Sequence, residues 1–251
     1  MGKKGQVTIF VIIAILIVVA GILIYQFVPG VQEAFAGIET NPNIYIQDCI
    51  EDELVDTIQL ISLQGGELEP ENYYLLEDEK LNYLCYSGEY YQYCNVQKPF
   101  LKESIEKDLS SKLKSKVDSC FDSLKTDYES KNYQVSLEKG AVEVKILPDR
   151  TELVMDTKLS IKKEDSKTFE TFTVSNNNNL YEVLGVARSI VEFETLMGEA
   201  DIIDLMSTYR DLKVEKLKQS DETKIYKITD KKTGDKFQFA SRSLAFPPGY
   251  I

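Results

Sequence analysis

The chain has 251 residues, 43% hydrophobic and 28% charged, enough for one large domain or two small ones with a real core. Its 29 basic and 41 acidic residues leave a net charge of -12, which gives no electrostatic help toward a polyphosphate backbone and argues against a nucleic-acid role. Histidine is absent, so Ser-His-Asp triads, Cys-His dyads and His-ligated metals are excluded; tryptophan is absent too.

Residues 1–6 read MGKKGQ, and Val7 to Tyr25 runs VTIFVIIAILIVVAGILIY, nineteen residues with one Thr and no charge. A helix of that length covers about 28 Å, close to the hydrocarbon core of about 30 Å. Lys3 and Lys4 precede the span and the next basic residue is Lys80, so the charge bias places the N-terminus inside and the bulk outside. An uncleaved signal anchor is the plain reading. A removable secretory signal fits less well, because the A-x-A match at Ala34-Phe35-Ala36 lies far beyond the apolar run.

Lys3-Lys4-Gly5-Gln6 running straight into a long apolar helix resembles the class III signal peptide of archaeal type IV pilin-like proteins. The resemblance implies cleavage between Gly5 and Gln6 on the cytoplasmic side, with the apolar helix retained. It covers about 25 residues. Phe10 stands where such pilins carry the Glu that assists subunit docking, which bears on filament assembly more than on membrane insertion.

On these grounds residues 1–28 read as a signal and anchor segment, 29–42 as a linker opened by Pro29-Gly30, and 43–251 as an extracytoplasmic domain. The last divides on paper into a Cys-helix and hairpin part, 43–130, and a sheet and helix part, 131–251. Without Lys3 and Lys4 the exported part has a net charge of -14, suited to a solvated domain and unsuited to an anionic lipid surface.

From Asn43 to Leu63 the period is helical, with Ile46, Ile50, Leu54, Ile58 and Ile61 on one stripe and Gly65-Gly66 as the stop. The stretch ENYYLLEDEKLNYLCYSGEYYQYCNV predicts two short strands about a Ser87-Gly88 turn. Leu101 to Leu124 predicts the clearest helix, with Leu101, Ile105, Leu109, Leu113, Val117 and Phe121 recurring every four residues. Then the period falls to two. Runs at Tyr133–Leu137, Val142–Ile146, Leu153–Ile161 and Phe169–Val174 predict an antiparallel meander, turned at Lys139-Gly140 and at Pro148-Asp149. Asn179 and Glu182 predict a capping box for an apolar helix from Leu180 to about Gly198. Asp201 to Tyr209 extends or follows it, and a hairpin joins TKIYKIT to KFQFA through Asp230–Asp235. The tail AFPPGYI reads as irregular. The fold class is α+β: one transmembrane helix, then two disulfide-linked amphipathic helices and a meander packed on a further helix.

All four cysteines lie beyond the apolar span, on the side where disulfides persist. Of the three connectivities, Cys85–Cys94 and Cys49–Cys120 are favoured. The first pair flanks the tyrosine hairpin, and Cys49 and Cys120 each precede a stripe residue, Ile50 and Phe121. Four buried free thiols remain an alternative, and a bare four-cysteine metal site a weaker one. The segments IQDCIEDELVDTIQLISLQGG, KSKVDSCFDSL and KFQFASRSLAFP, together with the KKGQVTIF anchor, resemble a recurrent pattern in membrane-anchored proteins of small-genome (DPANN-type) archaea. That resemblance touches about a third of the chain. It supports the compartment and the Cys49–Cys120 pairing and implies no activity.

Chemistry-bearing motifs are weak. Ser104/Lys107 and Ser111/Lys114 match S-x-x-K, and Lys232-Thr233-Gly234 reads KTG, but on a charged helix and in a polar turn. The acidic runs Glu51-Asp52-Glu53, Glu77-Asp78-Glu79 and Glu164-Asp165 read as solvated faces, and no calcium loop, dinucleotide fingerprint or P-loop is present. The expectation is a chain with no catalytic site, cofactor or metal. Tyr83, Tyr86, Tyr90, Tyr91 and Tyr93 form the candidate interaction surface for a protein or glycan partner; the competing reading is a half-buried hairpin using Tyr as a β-former. The expected function is that of a non-enzymatic, single-pass, membrane-anchored cell-surface structural or interaction protein. It would hold the bilayer through Val7–Tyr25, with self-association through that helix as a second contact. The alternative is a pilin-like filament subunit; an envelope hydrolase is a weaker third.

Overall fold

The computed structural model describes residues 41–245, which lie almost wholly within the compact unit Tyr45–Ile251. The Val7–Tyr25 span, the Gly5/Gln6 junction and most of the AFPPGYI tail lie outside the described residues. Among the described residues no helix is long and apolar enough to cross a membrane.

The order is α1 (Pro42–Leu63), β1 (Tyr73–Leu76), β2 (Glu79–Tyr86), β3 (Asn95–Val96), α2 (Leu101–Ser130), β4 (Gln134–Leu147), β5 (Arg150–Lys162), β6 (Ser166–Phe169), β7 (Phe172–Asn177), α3 (Leu180–Met197), α4 (Ile202–Thr208), β8 (Leu212–Lys218), β9 (Thr223–Asp230) and β10 (Lys236–Arg242). The class is α+β with two disulfides.

The two stripe helices form as the four-residue recurrence dictates. Ile46, Ile50, Leu54 and Ile61 on α1 and Ile105, Leu109, Leu113, Val117 and Phe121 on α2 are buried. Gly65 and Gly66 take φ of 75° and 88°, and the Gly66 N–H donates to the Ile61 carbonyl at 2.8 Å. The helix α2 runs six residues beyond Leu124, because Tyr128 is one further buried position on the same face.

The first sheet follows β4-β5-β6, with β7 also on β5; every pairing is antiparallel. Along β5, Thr151, Leu153, Met155, Thr157, Leu159 and Ile161 are buried and most of the residues between them are not, which is the one-sided alternation a sheet under helices requires. The outer edge of β4 is closed by α2. The Val144 N–H donates to Ser110 Oγ and the Ile146 N–H to Glu106 Oε1, both at 2.8 Å, so those edge donors offer nothing to another strand. Phe121 of α2 meets Phe172 of β7 edge-on at 5.0 Å between ring centroids.

The second sheet follows β1-β2-β10-β9-β8, with β3 also on β2. Its β2–β10 pair is parallel and the rest are antiparallel. Residues 43–130 and 131–251 therefore share one sheet. The helix α3 packs against β10 and β9, and all three long helices contribute to the main core.

Several sequence expectations are corrected. Lys139-Gly140 does not turn the chain: β4 is one long strand with an irregularity between Lys139 and Val142. Gly140 serves close backbone approach, since a Cβ there would stand 2.0 Å from the Asp156 carbonyl oxygen. The chain before Ser87 turns instead at Glu77-Asp78, where both residues have positive φ (48° and 74°), joining β1 to β2. Ser87-Gly88 opens the longer β2–β3 loop. The strand β8 is not foreseen, because Lys213, Glu215 and Leu217 are exposed and only Leu212 and Val214 mark the inner face.

Gly140→Ala is expected to lower stability by about 1–3 kcal/mol through overpacking against backbone that cannot step aside. Gly185→Ala is the paired control: nothing lies within 4 Å of its Cβ position on α3, and it should gain up to about 1 kcal/mol of helix propensity. Urea midpoints moving in opposite directions would bear this out; equal midpoints would refute it.

Candidate functional site

The tyrosine segment separates into two environments. Tyr83 lies on β2 and is buried, its hydroxyl 2.9 Å from Thr223 Oγ1 and its ring edge-on to Tyr86 at 5.0 Å. Burial pushes the Tyr83 phenol above its ordinary range, and the Thr223 hydrogen bond only partly offsets this. With Leu81, Ile225 and Ala240 it forms a small second core, and the Arg242 guanidinium lies 5.9 Å from the Tyr86 ring. Tyr83 is therefore a core residue and Tyr86 a half-buried one.

Tyr90, Tyr91 and Tyr93 sit on the loop that follows, exposed by 56%, 73% and 48%. The Cys85–Cys94 disulfide closes this loop, with 5.3 Å between Cα atoms. Three further ties reach the end of β10 and the chain just after it: Ser87 N–H donates to the Arg242 carbonyl at 2.8 Å, Tyr91 N–H to the Leu244 carbonyl at 2.7 Å, and Cys94 N–H to Ser243 Oγ at 3.3 Å. Tyr91 is held at φ 62°, a region L side chains enter at a cost and keep only where the surroundings impose it. The result is an anchored loop whose aromatic faces point to solvent. Beyond it, β3 leads to a groove of about 520 Å³, with Val96, Pro99, Tyr181, Leu184 and Val191 in its lining. Its cations Lys98, Lys102 and Arg188 are already paired with Glu67, Glu106 and Glu192.

A second cluster is polar and sealed. Lys224 Nζ on β9 lies 3.0 and 2.8 Å from the two carboxylate oxygens of Glu194 on α3. Their side chains are 3% and 0% exposed. Lys224 also donates to the Gly198 carbonyl, and Glu199 Oε2 stands 3.4 Å away. Tyr226 donates to Glu194 Oε1, and Ser241 Oγ to Oε2 at 3.2 Å. Burial, then the neighbouring Glu194 carboxylate, holds the Tyr226 phenol far above its ordinary range. Burial works to raise Glu199 as well, but Lys216 and Lys224 outweigh it and hold that carboxyl below its usual value. The sequence does carry a signal for this cluster: Glu194 continues the apolar stripe Val183, Ala187, Ile190, where a carboxylate has no business unless it is paired.

A third region joins the Asn176–Asn179 run to the Asp230–Asp235 turn, along two adjoining clefts of about 320 and 300 Å³ that share Asn178 and Thr233. The expected capping box is absent. The Asn179 amide donates to Glu182 at 2.7 Å and to Asp230 at 2.5 Å, and it is Asn178 Oδ1 that accepts the Leu180 N–H. Burial tends to raise Asp230, yet the Asn179 amide and the backbone N–H groups of Lys232 and Thr233 hold it below the ordinary carboxylate range. Lys232 of the KTG triplet is engaged by Asp211 at 2.6 Å, and Thr233 by Asp235 at 2.7 Å.

The S-x-x-K pairs lie on the outer part of α2, with Lys107, Ser111 and Lys114 exposed. Glu77-Asp78-Glu79 and Glu164-Asp165 are exposed as well. Among the described residues no group of three or more His, Cys, Asp or Glu could hold a metal ion. Both favoured disulfides are formed, Cys49–Cys120 tying α1 to α2 and Cys85–Cys94 tying β2 to the start of β3. The chain matches no model of a known family, no curated protein and no solved structure.

Proposed function

We propose that the chain is a non-enzymatic, single-pass, membrane-anchored surface protein that presents its domain outside the cell. In this reading Val7–Tyr25 lies in the bilayer, Lys3 and Lys4 stay inside, and the Cys85–Cys94 loop offers Tyr90, Tyr91 and Tyr93 to a protein or glycan. The observation that carries it is the anchored loop itself. Three large amphipathic side chains are held in water by a disulfide and three backbone ties, and little ordering entropy is left to lose on contact. Two intramolecular disulfides in one domain also favour an oxidising compartment.

Hydroxyl-radical footprinting tests this reading. Tyr90, Tyr91 and Tyr93 should label several-fold less on intact cells than in the purified full chain, while the exposed Tyr181 on α3 labels equally in both. Equal labelling of the loop in the two settings would reject the contact.

The second reading, a pilin-like filament subunit, is favoured by the Lys3-Lys4-Gly5-Gln6 junction. Mature protein beginning at Gln6 and shed in filaments would select it. Membrane-bound monomer retaining Met1 or Gly2 would select the anchor.

A further inference from the structure

We propose that Lys224 and Glu194 condense into an intramolecular amide, a self-made covalent tie between α3 and β9. The inference is independent of the functional reading above. It rests on four features of the sealed cluster. First, amine and carboxylate are already in reach, at 3.0 and 2.8 Å, with the groups fixed on two packed elements. Effective molarities of about 10⁵–10⁸ M for such pairs favour condensation that free amine and acid in water do not undergo. Second, the site excludes the water that would reverse the reaction. The two side chains are 3% and 0% exposed, and Tyr226 closes it by stacking on Phe239 at 5.4 Å.

Third, the lysine meets two carboxylates. Glu199, 3.4 Å from Nζ and 40% exposed, is kept ionised by Lys216 and Lys224, so it is the unprotonated carboxylate in reach to relay a proton while Glu194 is consumed. An ordinary buried ion pair needs only one carboxylate. Fourth, the Glu194 carboxyl receives hydroxyl donors on both oxygens, from Tyr226 and Ser241, placed to stabilise charge on oxygen as the carbonyl carbon is attacked.

The step balances without any co-reactant. Glu199 takes a proton from the Lys224 ammonium, and the amine lone pair attacks Cδ of Glu194. The Nζ–Cδ bond forms and one Cδ–Oε bond breaks. Two of the three ammonium protons leave with that oxygen as water, passed through Glu199, which ends as the carboxylate it began as. Nothing is oxidised or reduced, and the remaining Glu194 oxygen becomes an amide carbonyl that the Tyr226 hydroxyl can still donate to.

Mass spectrometry of the full chain decides the matter. After reduction and denaturation, a tryptic digest should lack cleavage at Lys224 and contain a branched peptide joining residues 189–210 to 219–227, one water lighter than the sum of its parts. Unlinked peptides with normal cleavage after Lys224 overturn the proposal. Lys224→Arg keeps the charge but offers no amine nucleophile, and should show no water loss; water loss persisting in it would place the dehydration elsewhere and overturn the assignment. In Glu199→Gln, linkage followed from the time of synthesis should slow by about a hundredfold or more, the lower range for a positioned general base. Linkage as fast as in the wild type overturns the part given to Glu199.

Discussion

Replacing Cys49 and Cys120 together by alanine is expected to destabilise the full chain by about 4 kcal/mol, against about 2.5 kcal/mol for the Cys85/Cys94 double replacement. The difference comes from the unfolded state. The first bridge closes 71 residues and the second 9, and each restricts the denatured chain by an amount that grows with the logarithm of the loop it closes. The folded state adds to the ranking. Cys120 is 1% exposed and directly precedes the fully buried Phe121, so the longer bridge fastens α1 to α2 through the main core. The two variants should also differ in kind. Opening Cys85–Cys94 releases the tyrosine loop, so protease cleavage within residues 87–93 should rise while global stability falls less. Urea midpoints with limited proteolysis test both statements. Equal midpoints for the two double variants would refute the loop-length account.

The loop and the core were unequally legible in the sequence, for physical reasons. Ile46, Ile50, Leu54, Ile58 and Ile61 declare α1 because burial on one side of a helix imposes a period. Leu153 to Ile161 declare β5 in the same way at period two. The cysteine pairing follows from those helices, since Cys49 and Cys120 border the faces that meet. Contacts made across the chain leave no such local mark. The parallel β2–β10 pair joins Tyr83 to Ala240, and nothing near either residue announces a partner so distant. Lys139-Gly140 reads as a turn because glycine is the usual sign of one; its actual reason, the Asp156 carbonyl, lies on the next strand. Tyrosine clustering was visible as composition, but its division was not. Tyr83 belongs to a strand whose pattern buries it, whereas Tyr90, Tyr91 and Tyr93 follow a disulfide-closed path with no period to read.

That division bears on function. A hairpin that used tyrosine only as a β-former would bury or half-bury its rings, as Tyr83 and Tyr86 do. Tyr90, Tyr91 and Tyr93 gain no such shelter, and the backbone is held at an unfavourable φ at Tyr91 while they remain in water. The disulfide and three tertiary hydrogen bonds that hold such a loop in water are the ground on which the contact is proposed.

Phe121→Ala should cost about 3–5 kcal/mol, the range for emptying a buried aromatic site. Phe121 is wholly buried, meets Phe172 edge-on, and follows the cysteine that ties α2 to α1. The void would therefore open where helix pair and first sheet meet, and the disulfide would hinder the backbone from closing it. Phe100→Ala, just before the same helix, is the contrast. That ring is 73% exposed and its loss should fall within about 0.5 kcal/mol of zero. The two substitutions remove the same atoms from positions 21 residues apart, so composition cannot separate them and only burial can. Equilibrium urea unfolding of both variants beside the wild type measures the gap. A Phe121→Ala midpoint close to that of Phe100→Ala would mean that α2 does not lie on the first sheet through Phe172, and the packing of that whole layer would have to be redrawn.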